Sequence, residues 1–207
     1  MTEHRWLELM ERLSMPANSD TYEALVAAYS EEHRHYHSVL HIDRSLAVLD
    51  EFRRLAQRPD EVELAIWFHD AVYDPHSSDN EARSANWARR FMLEKKNDRG
   101  GADRVYDLIM ATTHDSPIKD QDAQLLADID LAILGTDTDT YQVYESDVRR
   151  EYSWVPVAQF SEGRRKILES FMDRDQIYSI PKIRERYETQ ARLNLASAIE
   201  SLSRNAE

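Results

Sequence analysis

Pro59-Asp60-Glu61-Val62-Glu63-Leu64-Ala65-Ile66-Trp67-Phe68-His69-Asp70 decides the fold. Proline suits a first helical turn, where its missing N–H would have no partner anyway, and acids just after it complement the positive end of the helix dipole. From Leu64 to Phe68 the side chains are apolar without a break, so no solvent-facing stripe remains and the segment reads as a core helix. It ends in two polar residues, His69 and Asp70, which are costly to bury without partners.

Working outward, apolar residues recur at spacings of three and four nearly everywhere, and strand-like alternation is almost absent. Trp6, Leu7, Met10 and Leu13 predict a first helix, and Ser19 or Asp20 is placed to cap a second carrying Tyr22, Leu25, Val26 and Tyr29. A third begins within Tyr36 to His41 and runs through Leu46, Leu49 and Phe52. Beyond the opening stretch, helices are predicted over 79–96, stopped by Gly100-Gly101, and over 102–113, 123–134, 139–152, 156–172 and 181–202. Gly135 is placed as a helix C-terminal cap. With only 4 Gly and 6 Pro among 207 residues, a turn-rich β domain is excluded. The expectation is an all-α domain spanning 1–207, with its core over about 20–135 and a C-terminal helical extension over about 136–207.

Composition narrows the function classes. The formal charge of −13 disfavours nonspecific binding to nucleic acid or to anionic membranes. No window is apolar enough to span a bilayer, and residues 1–14 have no apolar signal core, so a cytoplasmic protein is expected. With no Cys, any metal must be held by nitrogen and oxygen, and thiol chemistry is excluded.

The polar residues set into apolar helices carry the chemistry. His-Asp as a dipeptide is uninformative, since it recurs at His114-Asp115. At the end of a core helix it is not. Asp128 and Asp130 interrupt the apolar run Leu125 to Leu134 and point about 200° apart, so at most one faces a given interior site. Asp130 shares more of the apolar stripe. A metal held by His41, His69, Asp70 and Asp130 satisfies all these groups at once, and helix bundles commonly host such inward-facing donors. Two imidazoles and two carboxylates suit Mn, Fe, Co, Ni or Zn, with Mg as a further option. A zincin motif fails because Ser38, not Glu, follows His37. A ferritin-like di-iron centre needs two Glu-x-x-His motifs, and only Glu32 to His35 supplies one.

The order of His41, then His69-Asp70, then Asp130 in an apolar helix resembles the HD-domain metal-dependent phosphohydrolases. Tyr36-His37-Ser38-Val39-Leu40-His41 is similar to the Tyr-His-Asn-x-x-His signature of cyclic-nucleotide phosphodiesterases, with Ser38 where those have Asn. Trp67 to Asp74, Asp79-Asn80-Glu81-x-x-Ser84 and Asp128 to Gly135 resemble a bacterial subgroup of predicted HD phosphohydrolases; the likeness covers about 30–135. It implies an HD-like helical bundle, metal ligation by His41, His69, Asp70 and Asp130, and His37 as general acid. Asp128 is the alternative late aspartate. The implied activity is hydrolysis of a small phosphate ester, a nucleotide among the candidates, by a metal-activated water, with Asp70 taking its proton. Arg34 and Arg44 are the candidate phosphate clamps, and Glu81 and His114 line the pocket or hold a second ion. The competing expectations are a regulatory module that binds metal or nucleotide without turnover, and a di-iron HD-type oxygenase. Homo-oligomerisation stays open.

Overall fold

The computed structural model describes residues 1–96, 98–114 and 117–204. Among the described residues the chain is all-α: ten α-helices, several short 3-10 turns and no strand. The helices are α1 (Glu3–Arg12), α2 (Ser19–Tyr29), α3 (Val39–Phe52), α4 (Pro59–Phe68), α5 (Asn80–Lys96), α6 (Arg99–Met110), α7 (Gln121–Asp130), α8 (Thr138–Glu151), α9 (Val157–Met172) and α10 (Pro181–Arg204). They form two compact units, Met1–Ile129 and Asp130–Glu207. No helix among the described residues is long and apolar enough to cross a membrane.

The first unit is built around α4. Every residue from Val62 to Phe68 is buried, as its unbroken apolar run requires, and α1, α3, α5 and α6 pack around it. Trp6 of α1 meets Trp67 edge to face at 5.3 Å between ring centres, a favoured aromatic geometry. Glu63 is the exception in this core. It is 1% exposed and accepts hydrogen bonds from Arg5, Arg12 and Arg53, which brings α1 and the turn after α3 onto α4.

A second buried carboxylate sets the position of α7. Asp122, in its first turn, accepts from the amides of Gln57 (2.7 Å) and Arg58 (2.8 Å), the residues leading into α4. Those amides precede the first hydrogen-bonded turn and have no helical acceptor of their own. The clasp holds the beginnings of α4 and α7 together, so the two helices run in parallel and deliver their last residues to one end. Asp122→Ala removes both acceptors, and the expected loss is about 2 kcal/mol, read as a lower urea midpoint at unchanged slope.

In the second unit α10 packs on α9 and on the 3-10 segment Leu131–Gly135, which α8 also touches. Gly135 adopts no left-handed conformation, so it is not the predicted cap. It is required for another reason: a Cβ there would stand 2.5 Å from Tyr187 Cβ and 2.6 Å from its carbonyl oxygen. Asn194 reinforces the same approach by donating to the carbonyls of Leu134 and Thr136.

Three other expectations are corrected. Gly100 and Gly101 do not stop a helix but lie in the first turn of α6, where the Asp98 side chain caps the Gly101 amide at 2.9 Å. An added Cβ on Gly101 would lie 2.7 Å from Asp98 Oδ2, so glycine makes room for the cap. The helix predicted over 123–134 ends at Asp130 and tightens into the 3-10 segment. Asn18, rather than Ser19 or Asp20, is the N-cap of α2.

Candidate metal centre

His41 belongs to the buried face of α3, in register with Ile42, Ser45, Leu46, Leu49 and Phe52. That is the helical repeat with an imidazole in place of an aliphatic side chain. His69 follows α4 as its C-cap, its amide still bonded to Ala65 O at 2.9 Å. Asp130 is the last residue of α7. The three offer one donor atom each, all within 4.8 Å of one another, a group that could hold a metal ion.

Asp70 joins them. One of its carboxylate oxygens lies 3.3 Å from His41 Nε2 and 3.2 Å from His69 Nε2, and the two nitrogens are 2.9 Å apart. Donors about 2.1 Å from a common ion stand about 3.0 Å apart at a right angle and about 3.4 Å apart at a tetrahedral angle. The two edges to Asp70 fall in that range, and the 2.9 Å between the imidazole nitrogens lies just below it. The ring orientation also fits: His69 Nδ1–H donates to Ile66 O at 2.9 Å, which turns Nε2 toward the centre.

Charge at Asp70 follows from these neighbours. Burial alone would push its carboxyl up, but the His69 ring, hydrogen bonds from His41 and His69, and the more distant His37 together hold it well below the usual carboxylate range. It is ionised at neutral pH, the form that binds a cation.

His37 is not on α3. Ser38 is the N-cap, in extended backbone, and His37 lies in the irregular stretch before it. Its ring centre is nevertheless 6.1 Å from that of His41, packed between Tyr36 at 4.9 Å and Tyr73 at 4.2 Å. Tyr36 also reaches the His41 ring at 4.8 Å.

Arg34 is 6% exposed. Its guanidinium donates to the carbonyls of His37 (3.1 Å), Asp70 (2.6 Å) and Ala71 (3.1 Å) and to the Glu31 carboxylate. It also lies over the rings of Tyr29 and Tyr73. These contacts place it as a positioning residue joining the His37 stretch to the His69-Asp70 turn. Arg34→Met keeps much of the reach but removes the donors, and divalent-ion affinity is expected to fall about 10- to 100-fold by calorimetric titration. Arg34→Lys should restore only part of it, since an ammonium cannot fork across several carbonyls.

Arg44 lies on α3 one turn beyond His41, half-buried, and among the described residues it makes no hydrogen bond or ion pair. Glu81 is in the first turn of α5, half-buried. His114 is half-buried in a left-handed conformation (φ 57°) after the 3-10 turn 111–113. Neither is in the donor group at the centre. Asp128 is buried but also outside it, as the opposite directions of the two aspartates require.

The sequence singles out the residues that hold the stretch after His69-Asp70 without showing their task. Ser84 of α5, fully buried, accepts from Val72 N and donates to Val72 O, while Asn80 bonds both the amide and the carbonyl of Asp74. The segment 79–84 had stood out as a motif, and these bonds give it a structural task. The same holds of Tyr73: its ring stacks on His37, and its carbonyl is 3.1 Å from His33 Nε2.

Compared with protein-family models, with curated proteins and with solved structures, the chain matches none of them.

Proposed function

We propose that the chain is a metal-dependent phosphohydrolase acting on a small phosphate ester, with nucleotides as the leading candidates. The observation that carries this reading is the convergence of His41, His69 and Asp130, with the Asp70 carboxylate in contact with both imidazoles. When bound, a divalent ion such as Mn, Fe, Co, Ni or Zn would lower the pKa of its water from about 15.7 towards 7 and polarise a phosphoryl oxygen.

The protein's own groups have separate tasks around that centre. Asp70 and Asp130 supply negative charge that favours a divalent cation over a monovalent one, and the bond from His69 Nδ1 to Ile66 O keeps Nε2 turned inward. His37, packed between Tyr36 and Tyr73, is held beside the centre without coordinating it, the place for a group that protonates a departing oxygen. Arg44 offers an uncommitted guanidinium to a phosphate one turn away.

The test begins with elemental analysis of the purified chain. Hydrolysis of p-nitrophenyl phosphate and of a panel of nucleoside mono-, di- and triphosphates is then measured with Mn, Co, Ni, Zn and Mg. Bound transition metal together with metal-dependent phosphate release supports the proposal. A metal-loaded chain inert across the panel rejects turnover in favour of a binding module, and a chain that takes up no divalent ion rejects the centre itself.

A further inference from the structure

The second unit contains a groove of about 440 Å³ between α8, α9 and α10, well within the size of small-molecule sites. Three features of its lining and of the start of α9 beside it favour an anion. First, α9 is a 16-residue helix with no acid in its first turn and a proline N-cap that supplies no side-chain acceptor. The amides of Val157, Ala158 and Gln159 therefore have no helical acceptor, and among the described residues no other protein acceptor. Second, Ser161, one turn further on, is only 3% exposed and lines the groove, yet its hydroxyl makes no hydrogen bond to any described residue. Third, Arg149 lies with its guanidinium 4.7 Å from the Phe160 ring centre and donates to the carbonyls of Tyr152 and Val155. Among the described residues no carboxylate balances its charge.

The one acid lining the groove does not oppose this. Glu145 accepts from Arg164 at 2.7 and 3.1 Å and from the Tyr141 hydroxyl at 2.8 Å, so its charge is already balanced from within the unit. The remaining wall is mixed: Thr138, Gln142, Ser146, Ser197 and Ser201 are polar, and Val157, which is 57% exposed, makes an apolar strip with Phe160, Ala198 and Leu202.

We propose that this groove binds a small amphiphilic carboxylate, its head at the start of α9 between Ser161 and Arg149 and its apolar body along Val157, Phe160 and Leu202. The proposal is independent of the phosphohydrolase reading, since none of these residues belongs to the metal centre.

Calorimetry on the full chain with octanoate, and with octanol as the uncharged control, tests it. Wild type should bind one octanoate per chain saturably and octanol at least about tenfold more weakly. Ser161→Leu, which fills the polar corner, should abolish octanoate binding. Ser197→Glu changes an exposed lining residue, so it leaves buried packing alone; it should weaken octanoate about fivefold and leave octanol unchanged. That variant decides the matter if Ser161→Leu does not fold. Non-saturable octanoate binding, equal binding of octanol, or an unchanged octanoate affinity in Ser197→Glu would each overturn the proposal.

Discussion

His69→Ala will lower divalent-ion affinity by more than about 100-fold and remove metal-dependent phosphate release. Losing even a group behind a metal ligand typically costs 10- to 100-fold, and His69 is placed at the centre itself. The substitution also removes the nitrogen 2.9 Å from His41 and 3.2 Å from Asp70, leaving a half-buried carboxylate with one imidazole contact fewer. Two readings separate the outcomes: metal content after dialysis, and initial rates with saturating Mn or Co. Rates that recover at high metal would mean that His69 serves affinity alone. Unchanged metal content and unchanged rates would sink both the centre and the proposed activity.

Glu63→Ala should have the largest effect on folding and none on the chemistry of the centre. Its carboxylate receives bonds of 2.8, 2.6 and 2.6 Å from Arg5, Arg12 and Arg53, and it is almost completely buried. Removing one partner of a buried ion pair costs about 3–5 kcal/mol, because the opposite charge is left uncompensated. Here the three guanidiniums are 24–36% exposed and each keeps Asp50 or Asp60 as a partner, so part of that loss is recovered and the low end applies. About 3 kcal/mol is expected, or roughly 6–12 °C in Tm for a chain of this size. Replacing only Arg12 should cost less, since Arg5 and Arg53 remain on Glu63. A Glu63→Ala variant as stable as the parent would show the network to be energetically idle.

The helical class was legible because it depends on spacing summed over many residues. The inward-facing donors were legible for a related reason: His41, His69 and Asp130 occupy positions where the pattern demands apolar side chains. What stayed hidden has no such pattern. Arg34 was named as a phosphate clamp and Asn80 and Ser84 within a motif, but their positioning roles, like that of Asp122, run through hydrogen bonds to main-chain atoms distant in sequence, and a backbone carbonyl or amide leaves no mark on the residue types around it. Helix ends were misjudged where one residue served two readings. Tyr36-His37 fits a helical repeat with His41, but Ser38 takes the extended conformation of an N-cap and α3 begins after it. Gly100-Gly101 reads as a stop until the Asp98 cap is seen to need the missing Cβ.

The clasp between Asp122 and the residues leading into α4 bears on how this chain tolerates insertions and deletions. One residue added to or removed from a helix turns everything beyond it by about 100° and moves it by about 1.5 Å. The spans 58–69 and 122–130 are both pinned at the clasp and both end in donors, so a length change in either would swing His69 or Asp130 off its target. Connectors whose ends are not tied in this way carry no such fixed measure. Natural variation in length should therefore accumulate in connectors of that kind, while these two spans keep theirs unchanged.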